Sequence, residues 1–187
     1  GKYRYKSRGH SSIYQKAGQM DSAIGVLNKA IALSPTRPHI YFALADAYLN
    51  KGDGQKALEL VEKAYKLDTT YQDAVRNFAV VAVLNGKYDL ADDALKQYFG
   101  TNIIADQQLL NAYARVGAYD KVRDTWLKFV ESEPNNAQHR VSLAATYVKL
   151  GDRRSAISEL QKAILLNPEF KAQGEQIMRG IQAGRNP

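Results

Sequence analysis

Three histidines and a scatter of aspartates are among the side chains of this 187-residue chain that could hold a metal or move a proton. His10, His39 and His139 stand apart, and none has a ligand-type partner four residues along a helix, the spacing that a helical metal site needs. Asp92-Asp93 is a paired acid on a polar helix face, where solvation is its expected fate. Asp106, Asp120 and Asp124 fall at turns and helix starts, where a carboxylate favours the helix dipole. Gly52-Asp53-Gly54 reads as a helix–helix turn and lacks the pattern of a phosphate loop. There is no cysteine, hence no thiolate chemistry and no disulfide. No catalytic, metal or cofactor site is expected, and the chain reads as a non-enzyme.

What positions these residues is a repeat. Glycine recurs at Gly18, Gly52, Gly86, Gly117 and Gly151, at intervals of 34, 34, 31 and 34 residues. Other columns hold the same register. Seven residues before the glycine stands Ser11, Ala45, Ala79, Leu110 or Ala144, and four before it Tyr14, Tyr48, Ala82, Tyr113 or Tyr147. Five after it stands Ala23, Ala57, Ala91, Val122 or Ala156, and twelve after it Ala30, Ala64, Tyr98, Phe129 or Ala163. Pro35, Pro134 and Pro168 lie seventeen after it. Apolar residues such as Ala57, Leu58, Leu60, Val61 and Ala64 follow helical spacing. Glycine ends a first helix because it enters the left-handed conformation without strain, and proline closes the second. The small residues let the two helices of a pair approach closely. A 34-residue period predicts paired helices stacked in series, since no single pair can bury its apolar face.

Helix pairs are expected at 4–17 with 20–33, 38–51 with 54–67, 72–85 with 88–99, 106–116 with 119–132 and 137–150 with 153–166. A more polar helix over about 170–183 would cap the array. That makes eleven helices in a single domain, 1–187, with repeats at about 4–37, 38–71, 72–102, 103–136 and 137–170. The junction of the third and fourth repeats is irregular. Its period shortens, Phe99-Gly100-Thr101-Asn102-Ile103-Ile104 replaces the proline turn, and bulky Tyr98, Leu110, Val122, Trp126 and Phe129 fill columns that are elsewhere mostly smaller. Correlated volume changes of this kind predict local repacking.

These columns resemble the tetratricopeptide repeat (TPR) family over residues 4–170. The resemblance implies an all-α, right-handed superhelical solenoid of five helix-turn-helix repeats plus a capping helix, acting as a scaffold for a protein or peptide partner. It also implies that first helices line the concave groove. Carried onto this register, the groove residues are Arg8, Phe42, Asp46, Leu49, Asn50, Arg76, Asn77, Val80, Leu84, Asn111 and Arg115, with Val141, Ala145, Val148 and Lys149 further along. The centre of that set is apolar and its ends are polar or basic, which suits a helix or extended segment as ligand. Chaperone-tail-binding members of the family clamp a terminal carboxylate with a basic residue and an asparagine four apart. The matching pairs here, such as Arg8/Ser12 and Phe42/Asp46, do not form that clamp, and Asp46 would repel the ligand.

The net charge is +7, and Lys2, Arg4, Lys6, Arg8 and Lys16 supply +5 of it within the first twenty residues. A solvated or previously covered first helix explains this better than nucleic acid, which would want aromatics interleaved along a basic groove. No apolar run approaches the ~18 residues of a membrane span. The chain begins with Gly1 and enters a repeat at once, which reads as a fragment of a longer protein, cytoplasmic in the favoured reading. The tail, Leu166-Asn167-Pro168-Glu169-Phe170-Lys171 and Ala183-Gly184-Arg185-Asn186-Pro187, resembles the C-terminal TPR segments of bacterial O-antigen ligase or polymerase-like membrane proteins. That likeness implies an alternative role, a recruiting arm of a glycan-assembly enzyme, tethered to the membrane through sequence before Gly1.

Overall fold

The computed structural model describes the backbone of residues 7–184 and the side chains of residues 18–184. Arg8, with Tyr5, Ser12 and Gln15, lies outside the described side chains, as do the basic residues Lys2, Arg4, Lys6 and Lys16.

Every regular element among the described residues is helical. In order they are α1 (Ser7–Leu33), α2 (Pro38–Lys51), α3 (Gly54–Leu67), α4 (Gln72–Leu84), α5 (Tyr88–Phe99), α6 (Gln107–Arg115), α7 (Tyr119–Ser132), α8 (Ala137–Lys149), α9 (Arg153–Leu166) and α10 (Lys171–Gln182). A 3-10 turn, Pro168–Phe170, leads into α10. The chain divides into two compact units, Gly1–Tyr98 and Phe99–Pro187. The division falls at the irregular junction, where Gly100 takes a φ of 73° and α6 is shortened to nine residues.

The columns act as the repeat demands. Gly52, Gly86, Gly117 and Gly151 all adopt positive φ, between 70° and 86°. At the last of these turns, Gly151 donates its N–H to the Val148 carbonyl, Asp152 donates to that of Tyr147, and the Asp152 carboxylate then accepts from the Ser155 N–H at 3.0 Å, so one helix is closed and the next opened within two residues. Behind the turns, Ala57, Ala64, Ala91, Ala156 and Ala163 are fully buried. Such small side chains let paired helices come close enough for Val61, Leu95 and Leu160 to be sealed as well. The contacts run along the chain: α1 with α2, α2 with α3, α3 with α4, then α6 with α7, α7 with α8, α8 with α9 and α9 with α10.

The first repeat departs from expectation. In place of helices at 4–17 and 20–33 there is one continuous helix, α1, so among the described residues ten α-helices stand where eleven were expected. Gly18 is not left-handed. The turn at Gly52 is followed by an aspartate that caps the next helix, through the Lys56 N–H at 3.0 Å. Gly18 is followed by Gln19, and the nearest acid, Asp21, is engaged by Lys51 at 2.7 Å. Nothing at Gly18 satisfies the backbone groups a break would expose. Ala23, expected at a close helix contact, is correspondingly exposed.

The cap at Asp152 makes a pH prediction. Hydrogen bonds from the Ser155 N–H, and then from its hydroxyl, hold the Asp152 carboxyl below its ordinary value of 3.8. A depressed folded-state value means that the contribution is complete above the unfolded value and is lost as pH falls through the folded one. The melting temperature should therefore fall through this window on acidification. In Asp152→Asn, which keeps the accepting oxygen but does not titrate, that part of the acid decline should vanish. Thermal melts across roughly pH 2 to 6 check this. Identical acid limbs in the two proteins would show that the cap does not contribute.

Candidate functional site

The residues expected to line a groove come from first helices, α2, α4, α6 and α8. In the first unit, α2 presents Phe42, Asp46, Leu49 and Asn50 at successive turns. Phe42 and Leu49 are half-buried, whereas Asp46 and Asn50 are exposed. Phe42 belongs to an aromatic group. Its ring stacks near-parallel on Tyr71 with centroids 6.4 Å apart, and His39 meets both rings edge-on at 6.0 and 5.8 Å. The Tyr71 hydroxyl lies 3.4 Å from His39 Nδ1 and donates to Asp73 at 3.2 Å. Partial burial, reinforced by Asp73, pushes the Tyr71 hydroxyl pKa up. Asp46 is pushed up from its ordinary value because surrounding protein displaces some of its water.

On α4, Arg76, Asn77, Val80 and Leu84 are all half-buried. Asn77 donates to the Asp73 carbonyl at 2.8 Å, so its amide is partly committed to its own helix. Val80 and Leu84 flank the sealed residues Ala79, Val81, Ala82 and Val83, and thus combine packing with residual exposure. In the second unit, Asn111 and Arg115 are exposed on α6, and Asn111 accepts a hydrogen bond from Gln107 at 2.9 Å.

A concavity lies further along that unit. Val141, Ala144, Ala145 and Val148 of α8, Leu160 of α9, and Ile177 and Ile181 of α10 line a cavity of about 170 Å³. Every lining side chain is a hydrocarbon. Ala144, Leu160 and Ile181 form its sealed floor with Ala156, whereas Ala145 is exposed at its edge. The α8 contributors follow the register expected of an inward face. Ile177 and Ile181 were not anticipated, because α10 stands outside the repeat register. The signal was nevertheless present: two isoleucines four apart in a helix otherwise rich in polar residues. Gly174 lets α10 seat closely, since a Cβ there would stand 2.8 Å from the Ile164 Cδ1 atom.

Of the histidines, His39 is the exposed member of the aromatic group above. His139 stands on α8. It is half-buried beside Trp126 and Phe129, with ring centroids 5.6 and 5.3 Å away, and Asn136 Nδ2 lies 3.2 Å from its Nε2. Trp126 and Phe129 also meet at 5.3 Å, so the bulky residues of the fourth repeat pack on one another and on the first helix of the fifth. Among the described residues, no cluster of three or more metal-ligating side chains occurs and no helix is long and apolar enough to cross a membrane.

Comparison with known proteins supplies the context. The family described as TPR repeat matches residues 12–52, and that described as Tetratricopeptide repeat matches residues 38–71 and 140–170. A TPR repeat-containing protein of Methanocaldococcus jannaschii is 27% identical over 126 residues, covering 62% of this chain and 21% of that protein. Cellulose synthase operon protein C of Pseudomonas fluorescens is 22% identical, covering 91% of this chain and 17% of that protein. The chain thus spans about a fifth of the length of these curated relatives. Among solved structures, a MamA protein is similar with a TM-score of 0.59 and 25% identity, covering 87% of this chain and 90% of that one. MamA from Desulfovibrio magneticus RS-1 gives 0.56 at 21% identity, covering 87% and 93%. YrrB, described as a TPR protein with an unusual peptide-binding site, gives 0.52 at 21% identity, covering 86% and 84%.

Proposed function

Given a chain that carries tetratricopeptide repeats, whose fold is that of protein–protein interaction scaffolds, we propose that it binds a polypeptide segment through apolar anchors received on its first helices, without catalysis of its own. The observation that carries this reading is the all-hydrocarbon cavity of about 170 Å³ bordered by α8 and closed by α10. An apolar concavity of that size fits one large side chain, and a helical or extended segment delivers such side chains at regular intervals. The half-exposed ring of Phe42 beside Tyr71 offers a second apolar contact of the same kind in the other unit. Exposed Lys149 and Arg115, on first helices that carry no acid in this unit, would favour acidic residues beside the anchor. A single scaffold domain over 1–187 is part of this proposal.

A displayed library of random peptides, selected against the chain, would supply a ligand whose affinity can be measured by titration calorimetry. Ala145→Arg places a long charged side chain at the cavity edge without removing a buried group. It should abolish binding of a cavity-anchored peptide, and Phe42→Ala should weaken a peptide anchored there by about 2 kcal/mol. Affinity that survives both changes but falls when exposed second-helix residues such as Leu90 or Leu127 are replaced would place the ligand elsewhere and refute the proposal.

A further inference from the structure

The repeats provide an internal standard for what a second helix buries, and the first repeat fails it. In α3, the residues Ala57, Leu60, Val61 and Ala64 are sealed against α2 and its neighbours. Their counterparts one period earlier are Ala23, Val26, Leu27 and Ala30 of α1. Ala23 is exposed, Leu27 and Ala30 are half-buried, and Val26 is 64% exposed where Leu60 is 6%. At the end of the helix, Leu33 is 85% exposed. The neighbouring position Ile24 is buried like its counterpart Leu58, so α1 makes its contact with the next repeat and lacks its contact within its own.

The sequence states what belongs on that face. Residues 4–17 carry the first-helix columns, with Ser11 in the small position and Tyr14 in the tyrosine position. Yet α1 runs unbroken through Gly18, so its first half continues along the axis of its second half and cannot fold over it. A second copy can. Two α1 helices laid antiparallel about Gly18 place residues 7–17 of each against 20–30 of the other, which is the register a hairpin at Gly18 would have had. The two exposed faces are satisfied by one two-fold operation, and the overlap of the two 27-residue helices in this register is about 36 Å long. We propose that the chain forms a homodimer in which α1 is exchanged in this way, each copy completing the first repeat of the other.

The helix through Gly18 sets the balance between this dimer and a closed hairpin. A Cβ at Gly18 would meet nothing within 4 Å, so Gly18→Ala fits the continuous helix and favours it. Each chain gains about fivefold in helix preference, and a dimer of two such chains should tighten about 20-fold. The double change Gln19→Asp and Met20→Gly reproduces the turn of Gly52-Asp53-Gly54, and should convert the dimer to monomer. Ala23→Glu should also give monomer while keeping the helical content, since the residue is exposed within its own chain.

The absence of cysteine makes the pairing directly testable. Ser11 and Leu27 correspond to Ala45 and Val61, both sealed in the α2–α3 pair. A Ser11→Cys chain mixed with a differently sized Leu27→Cys chain should form a mixed disulfide on oxidation, and sedimentation equilibrium of the unsubstituted chain should show a dimer at micromolar concentration. A monomer in which the doubly substituted chain links Ser11→Cys to Leu27→Cys internally would show that its own segment folds back, and would overturn the proposal. So would a monomer with no cross-link, or a dimer unaffected by Ala23→Glu.

Discussion

Leu160→Ala should lower the unfolding free energy by about 2–5 kcal/mol, with α10 released along with α9. Leu160 is 1% exposed and touches both sides of the last interface. It packs with Ala144 of α8 and Ile181 of α10, and half-buried Tyr147, Ile177 and Met178 lean on the same cluster. Removing its isobutyl group does not leave a small hole that neighbours can fill. It extends a cavity of about 170 Å³ that already exists, and the backbone spacing there is fixed by sealed Ala156 and Ala163 on the same helix. The relaxation that reduces the cost of other truncations is therefore limited. Urea unfolding followed by far-ultraviolet circular dichroism measures the effect. A loss below about 1 kcal/mol would mean that Leu160 does not support the stack as its burial implies.

The second large effect concerns the one buried acid of the described residues. Glu159 is 8% exposed on α9. One carboxylate oxygen accepts from the Arg140 guanidinium of α8 at 3.0 Å, and the other from Lys162 at 2.6 Å. Arg140 has little else. It reaches the Pro134 carbonyl at 3.4 Å, and its Nε has no hydrogen-bond partner. Glu159→Ala leaves that guanidinium desolvated without a counter-charge, which should cost about 3 kcal/mol. Lys162→Ala should cost well under 1 kcal/mol, since the lysine is half exposed. The combined change Arg140→Leu with Glu159→Leu should recover most of the loss, because two apolar side chains remove the stranded charge. A double-mutant cycle measured by urea unfolding gives the coupling directly. Additive single losses would show that the pair is not coupled.

The glycine period made the helix pairs legible because it reports a backbone requirement. Gly52, Gly86, Gly117 and Gly151 must take positive φ where a first helix ends, and they do. Gly18 matches the column but not the surroundings. A glycine permits a turn, whereas a capping acid and a packed partner stabilise one, and Gly18 has neither in this chain. The candidate site was legible in part for a similar reason. Val141, Ala145 and Val148 follow from register, and so does Phe42 on α2. Tyr71 precedes α4 in a connector, and Ile177 and Ile181 sit on a helix outside the period, so no column pointed to them. The burial of His139 depends on the ring volumes of Trp126 and Phe129, which a column of residue types records only as an exception.

The chain-order pattern of helix contacts has a kinetic meaning. Each pair of touching helices described here is separated by a short connection, such as the two residues between α2 and α3 or the three between α8 and α9. Closing such loops removes little chain entropy, and no distant segment has to arrive before the first contacts stabilise one another. Folding can begin in any repeat and spread outward. During synthesis, a helix pair can therefore be complete while later pairs are still unmade, and the growing chain exposes no more than the apolar end face of its latest repeat.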